Sequence, residues 1–271
     1  MKNLLGGMRG GNSQRQDQRL LIYCAGGQGR ESLKTARAVN RIHNTWNEIF
    51  FIDDGIQSSS LNGVPVMTFC KYLEAFQKQD DCFHIAAGEP VLRRRIAEKL
   101  LKNFKEVKSI IHPGVVISPY CVLQEGVFIG EGVMLSDNLT IGKCACLNAG
   151  AIVGHNAMIG DYATVSPGAI ISGDVTIGEG TYIGTGAIIR DEVKIGKDCI
   201  IGMGSLVTKD IPDGVVAFGS PCRVIRKNQD GIVFRPLSKM EISPNGGGGV
   251  NYPYNGFYLL FAALRKAEAA A

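Results

Sequence analysis

The sequence predicts two units in series: an α/β unit with a small parallel sheet over residues 19–108, then an all-β parallel helix of hexapeptide repeats over residues 109–226. Two observations carry this. From Ile111 to Val207 an aliphatic residue returns at every sixth position, in seventeen consecutive repeats. Before that array, three short apolar runs alternate with stretches of helix-compatible composition, and each run ends in glycine or acidic residues.

The first run, Arg19-Leu20-Leu21-Ile22-Tyr23-Cys24, is short enough for a buried strand and passes into Ala25-Gly26-Gly27-Gln28-Gly29-Arg30. Residues Glu31 to Arg41 then suit a helix, so Gly26, Gly27, Gln28 and Gly29 lie in a turn between a strand and a helix. Such a turn can cradle a phosphate, because glycine allows close backbone approach and the helix N-terminus offers unbonded N–H groups. The second run, Ile49 to Ile52, ends in Asp53-Asp54-Gly55, where a carboxylate can accept hydrogen bonds from a ribose or a base edge. The third, Cys82 to Ala87, is followed by Gly88-Glu89-Pro90 and a helix from Val91 to Phe104. Alternating strand and helix imply a Rossmann-like parallel sheet with its ligand at the carboxyl ends of the strands. His84 is expected to fill a strand position. The run Arg93-Arg94-Arg95 is expected to form a solvated helix face, from which one member could meet a diphosphate.

A strict period of six fits neither a helix nor a plain strand, and it is the signature of a parallel β-helix. Two residues before each aliphatic stands a small or β-branched residue, as at Cys121, Val127, Ala145, Ala151, Ala157, Ala163, Ala169, Val175, Thr181 and Ala187, which suits a second inward position. The residue after the aliphatic is often glycine (Gly130, Gly142, Gly154, Gly160, Gly178, Gly184, Gly196, Gly202), as expected of a corner with positive φ. Three strands and three corners make a coil of roughly eighteen residues, so the array winds between five and six times.

Composition narrows the function. A chain of 271 residues favours two domains over one, and a net charge of +4 with scattered Lys and Arg speaks against nucleic acid as a partner. Eight cysteines without a Cys-x-x-Cys pair are expected to be reduced and structural. Residues 1–18 lack the apolar core of a signal peptide and are expected to be a disordered lead, which points to the cytoplasm.

The inside of a coil is filled by the repeat itself, so chemistry must sit outside. His155 follows Gly154 two residues after inward Val153, on an outward corner where an imidazole can serve as general base near neutral pH. One coil back lies Asp137, a candidate to orient the ring. One coil forward lies Gly173, whose amide is a candidate oxyanion donor.

The array, the segment Val153-Gly154-His155-Asn156-Ala157-Met158-Ile159-Gly160 and the ending Ala217-Phe218-Gly219-Ser220-Pro221-Cys222 resemble left-handed β-helix acyltransferases. The glycine turn and Asp53-Asp54 narrow the resemblance to the sialic-acid O-acetyltransferase and nucleotide-amino-sugar N-acetyltransferase group, over roughly residues 19 to 226. It implies a homotrimer with acetyl-CoA between neighbouring β-helices, a nucleotide-linked sugar on the N-terminal domain, and direct acetyl transfer without a metal in surface-glycan precursor synthesis. His155 falls on the family's base, Gly173 on the glycine facing the acetyl carbonyl, and Asn148 on an asparagine near the acceptor. Thr164, Gly202, Met203 and Gly204 fall on the acetyl-CoA side, and Gly26, Gly27, Gln28, Gly29, Asp53 and Asp54 on the nucleotide-sugar side.

Two positions depart from the family: Asn156 stands where an acidic residue usually follows the base, and Gln28 where the glycine turn usually holds histidine. Orientation of His155 must then come from another residue, with Asp137 as the candidate. Alternatives are a sialic-acid-type O-acetyltransferase and a non-catalytic sugar-binding trimer. A γ-type carbonic anhydrase needs three histidines, and only His112 and His155 lie in or beside the repeats. Residues 227–271 form a C-terminal extension in which Gly246 to Gly249 reads as a linker and Phe257 to Ala271 as a helix too short to span a bilayer.

Overall fold

A computed structural model describes residues 18–76, 81–101, 107–229 and 233. The expected lead before residue 18, the glycine linker and the C-terminal helix lie outside the described residues.

The N-terminal sheet holds five strands: β1 (Arg19–Tyr23), β2 (Glu48–Ile52), β3 (Ser60–Leu61), β4 (Val64–Met67) and β5 (Cys82–Ile85), in the order β3-β4-β2-β1-β5. Pairing is parallel throughout β4-β2-β1-β5, and β3 joins as an antiparallel edge through the turn at Asn62 (φ 50°) and Gly63 (φ 73°). Alternation along β1 sends Leu20 and Ile22 to one face and Leu21 and Tyr23 to the other, so the strand is buried on both sides. Helix α1 (Gly27–His43) covers the first face with Leu33 and Ala36. The short α2 (Phe69–Lys71) and the longer α3 (Pro90–Leu101) cover the second, the latter with Ile96, Ala97 and Leu100. The β3–β4 hairpin is absent from the sequence expectation, although Asn62-Gly63 is a strong hairpin signal.

Val107 bridges to Phe83 at the edge of this sheet, and Ile110–Ile111 already belongs to the β-helix, so the chain passes directly from one unit to the other. Sixteen two-residue strands follow the repeat from Ile110 to Val207. Ile117 is the exception, lying outside any strand and 36% exposed. Successive coils pair in register at a shift of eighteen residues, as in Cys146↔Thr164, Ile152↔Ile170 and Thr140↔Met158.

Three faces result. The first carries Phe128–Ile129, Cys146–Leu147, Thr164–Val165, Tyr182–Ile183 and Ile200–Ile201, and is extended by Val215–Gly219 and the antiparallel Cys222–Lys227. The second carries Met134–Leu135 through Leu206–Val207, and the third Val122–Leu123 through Lys194–Ile195. Inward aliphatics and small residues together form one continuous core from Val127 to Cys222. With the N-terminal Rossmann-like sheet, this is the left-handed parallel β-helix architecture that the sequence implies.

The corner geometry corrects one expectation. Positive φ falls three residues after the inward aliphatic, at Gly150, Asn156, Tyr162, Gly168 and Asp174 among others, and not at the glycine directly after it. That glycine answers to space. A Cβ at Gly142, Gly154, Gly160, Gly178 or Gly184 would stand within 2.6 Å of backbone atoms in the following coil.

A second correction concerns the arginine run. Arg93 is 1% exposed, and its guanidinium donates to Ala87 O, Gly88 O, Cys144 O, Tyr162 O, Ala163 O and Thr164 Oγ1, which stitches α3 to two successive coils of the first face. Burial draws its pKa down, and the converging carbonyls compensate the loss of water. Arg94 pairs with Glu179 at 3.1 Å and Asp198 at 3.2 Å on further coils, and only Arg95 is the solvated residue expected.

Candidate active site

His84 is fully buried at the same seam, with Nδ1 2.9 Å from the carbonyl of Lys108 and Nε2 3.2 Å from Ser32 Oγ. The carbonyl can only accept, so Nδ1 carries the proton and Ser32 donates to Nε2. Burial, aided by the charge of Arg93 and opposed by the Lys108 carbonyl, lowers its pKa to about 4. The ring therefore stays neutral and structural.

The glycine-rich turn is shaped by its neighbours. Helix α1 begins at Gly27 with Gly26 as its N-cap, inside the turn, which leaves the first amides of the helix without intrahelical partners. A Cβ on Gly29 would fall on the carbonyl of Cys24, so the close helix-to-strand approach requires glycine there, whereas the space beside Gly27 is open. Gln28 Nε2 is buried and has no hydrogen-bond partner.

Asp53 and Asp54 lie beside this turn, and their carboxylates are committed. Asp53 accepts from the amides of Ala25 at 2.8 Å, Gly55 at 2.9 Å and Ile56 at 3.1 Å, so it ties the glycine turn to its own loop. Asp54 accepts from Tyr23 Oη and the amide of Phe69, both at 2.8 Å. Burial and Asp54 together raise the Tyr23 pKa, so the phenol stays a donor. What the turn leaves open is a set of helix N-terminal amides, while the Gln28 amide nitrogen is buried without a partner.

The second cluster occupies the corner after the second face. His155 and Asp174 are 59% and 47% exposed, and Nδ1 of the ring lies 3.4 Å from Asp174 Oδ2. Asn156 Nδ2 lies 2.9 Å from Asp174 Oδ1 and 3.3 Å from the same ring nitrogen. The backbone repeats the link, since the Asp174 amide donates to His155 O at 2.8 Å. A Cβ on Gly173 would stand 2.5 Å from His155 Cε1 and 2.7 Å from Nε2, so the ring lies against the α-carbon of Gly173 in space that only glycine leaves.

The structure redistributes the roles expected at this corner. Among the described residues the Asp137 carboxylate has no hydrogen bond, and its carbonyl serves the Asn156 amide at 3.0 Å; the carboxylate beside the ring is Asp174, one coil forward and one residue on. The Gly173 amide points outward and is met by Asp191 Oδ1 at 3.1 Å. Thr164 does not face the outside at all: it is 2% exposed, and its hydroxyl accepts from Arg93 in the domain seam. Asn148 and the trio Gly202, Met203 and Gly204 lie on the corner between the first and second faces, one face away from His155 within the chain. The Asn148 amide reaches Val165 O at 3.4 Å. Stacking straight along the corner points to Asp137, whereas the Asp174 side chain reaches the ring diagonally from the next coil.

Among the described residues no group of three or more His, Cys, Asp or Glu side chains is placed to hold a metal ion, and no helix is long and apolar enough to cross a membrane.

Comparison with known proteins follows the two units. Residues 19–100 match the PglD N-terminal domain, residues 105–184 the GMPPB C-terminal domain and residues 174–209 the bacterial transferase hexapeptide (six repeats). The chain is 32% identical over 124 residues to the GDP-perosamine N-acetyltransferase of Escherichia coli O157:H7, a match spanning 45% of this chain and 55% of that curated relative. Two solved structures are similar over more of the chain. The acetyltransferase domain of PglB from Neisseria gonorrhoeae FA1090, in complex with acetyl coenzyme A, is 29% identical with a TM-score of 0.72, covering 78% of this chain and 100% of that one. WeeI from Acinetobacter baumannii AYE is 31% identical with a TM-score of 0.71, covering 77% and 100%. A sheet domain and a repeat domain matched separately, and an entire relative matched across both, leave one assignment: the chain belongs to the hexapeptide-repeat acyltransferase family, in its nucleotide-amino-sugar N-acetyltransferase group.

Proposed function

We propose that the protein transfers the acetyl group of acetyl-CoA to the amine of a nucleotide-linked amino sugar, supplying a precursor for surface glycan in the cytoplasm. The observation that carries this reading is the corner at His155: an imidazole 59% exposed whose Cε1–Nε2 edge lies over Gly173. Nε2 removes the proton as the sugar nitrogen attacks the thioester carbonyl; the C–N bond forms, the C–S bond breaks, and CoA leaves as the thiol. The acetyl oxygen takes the outward Gly173 amide once the exposed Asp191 carboxylate swings away from it. Direct transfer needs only these groups and correct placement of the two substrates.

The glycine turn holds the nucleotide end. Open amides at the start of α1 suit a diphosphate, with the unpartnered Gln28 amide a further donor, while Asp53 ties the turn to its own loop. Assembly as a homotrimer is favoured by the second face, whose outward positions Met134, Ile152, Ile170, Ile188 and Leu206 form an aliphatic ladder, with Met134 58% and Ile188 42% exposed. Packing that face against a neighbour brings the corner of Asn148 and Gly202 to Gly204 toward the His155 corner of another copy, with acetyl-CoA between them. Such relatives as the GDP-perosamine enzyme act on a nucleotide amino sugar, which sets the first acceptors to try.

The test is free-thiol release from acetyl-CoA by the purified protein against GDP-, UDP- and dTDP-linked 4-amino sugars and their hydroxyl counterparts. Release with an amino sugar and not with its hydroxyl analogue is expected, and His155→Ala should lower it by about a hundredfold to ten-thousandfold. Silence across the panel, with nucleotide-sugar binding still measurable by calorimetry, would replace the transferase with a sugar-binding scaffold.

A further inference from the structure

The geometry points to Asp174 as the residue that positions the His155 imidazole, an inference that rests on the reading of His155 as the base. The residue directly after the histidine is Asn156, which carries no charge, and the nearest carboxylate arrives instead from the following coil: Asp174 Oδ2 lies 3.4 Å from Nδ1. A base working through Nε2 needs its other ring nitrogen protonated, and Nδ1–H requires an acceptor. Asp174 Oδ2, at an ion-pair distance of 3.4 Å, is the carboxylate oxygen placed to accept from it once the Asn156 NH2, which faces the same nitrogen as a donor at 3.3 Å, turns its hydrogens to Asp174. Asn156 cannot substitute for it, because its amide nitrogen is turned toward the ring, and the orientation of that amide is set by its shorter bond to Asp174 Oδ1 at 2.9 Å. Turning the amide over would bring two oxygens together. Asn156 thus fixes one carboxylate oxygen, and the other is left facing the ring.

The backbone explains why these two residues share the arrangement. Asn156 (φ 59°) and Asp174 (φ 57°) occupy the same corner position in consecutive coils, and both are left-handed. Asn and Asp are the side-chain-bearing residues that tolerate this conformation best, and each occurs at it elsewhere in the array, as Asn138 (φ 59°) and Asp198 (φ 50°). The corner therefore offers two stacked places, either of which can hold the amide or the carboxylate. Here the carboxylate stands on the later coil. As the acceptor proton moves to Nε2, Asp174 also faces the positive ring that forms.

Asp174→Asn and the exchange Asn156→Asp with Asp174→Asn test this without altering the backbone preference of either position. The first measurement is the tautomer of His155 by 15N spectroscopy at about pH 8.5, above the ordinary histidine range, with the signal assigned from His155→Ala. Protonated Nδ1 is expected in the parent and in the exchanged protein, and protonated Nε2 in Asp174→Asn. The same tautomer in all three would overturn the inference, and this readout needs no substrate.

Kinetics supply the second measurement. Asp174→Asn is expected to lower kcat by about tenfold to a hundredfold, less than loss of the base itself, with KM within about twofold of the parent, and the exchange to restore most of it. Parent-like kcat in Asp174→Asn beside an inactive His155→Ala would overturn the positioning role alone. An active His155→Ala would overturn the base assignment, while the tautomer still decides what Asp174 does to the ring. A destabilised but otherwise parent-like Asp174→Asn would reduce Asp174 to a corner residue.

Discussion

The first face of the β-helix and the corner after its second face are made from the same six-residue unit and do opposite things with it. Inward they are alike, since Leu147, Val153, Val165 and Ile171 are all buried. Outward, the first face places Phe128, Cys146 and Thr164 beneath the N-terminal sheet, where Arg93 and His84 have every polar atom matched to a partner. The corner leaves His155 and Asp174 about half in solvent with their partners beside them. The inward residues and the backbone pairing between coils hold the coil together, so outward residues can be assigned to docking in one place and to chemistry in another.

The largest expected effect falls on the seam. Arg93→Ala strands several buried carbonyls and should cost about 4 kcal/mol or more in chemical denaturation, with the N-terminal unit unfolding apart from the β-helix. A loss below about 1 kcal/mol would remove the distinction between seam and surface.

His84 gives the seam a pH dependence that the corner does not share. Its folded pKa, about 4, lies below the ordinary histidine value of 6.5, so the unfolded chain takes up the proton first. Stability from keeping the ring neutral is full above about pH 6.5, and about 3 kcal/mol of it is lost as pH falls toward 4. Thermal melts of the parent and of His84→Gln across that window should differ in slope, and parallel curves would refute the assignment.

Two glycines of one coil sharpen the comparison further. A methyl group on Gly178 would meet the backbone of Gly196 and Lys197, which cannot move without shifting a coil, so Gly178→Ala should cost about 2 kcal/mol. On Gly173 the three nearest atoms that the same methyl group would meet all belong to the imidazole of His155, an exposed side chain that can turn away. Gly173→Ala should therefore cost less than about 1 kcal/mol of stability and yet lower kcat by about a hundredfold, through misplacement of the base. Equal losses of stability at the two sites would mean that the corner is as tightly built as the frame.

Much of this was legible beforehand, and the misses share a cause. Strands β1, β2 and β5, the glycine turn and sixteen of the seventeen repeat positions follow from apolar spacing, because burial is written directly into residue type. The glycines after each aliphatic were legible as special positions, but for the wrong reason, since the pressure comes from the next coil and not from φ. Arg93 resembles its exposed neighbour Arg95, and nothing in the local sequence distinguishes an arginine over solvent from one over six acceptors five to seventy-one residues away. The β3–β4 hairpin is legible at Asn62-Gly63, whose positive φ values make the turn.

By itself, the sequence determined the two kinds of unit, the coil of eighteen residues and the exposed corner that carries His155, because each depends on a periodicity or on a turn residue. Only the tertiary structure decided which outward residues face the other domain, that Thr164 is sealed inside the seam, that the Asp53 carboxylate faces backbone amides, and that Asp174 rather than Asp137 stands beside the ring. Those outcomes depend on side chains meeting across coils and domains, at separations of a few tenths of a nanometre that no spacing along the chain encodes.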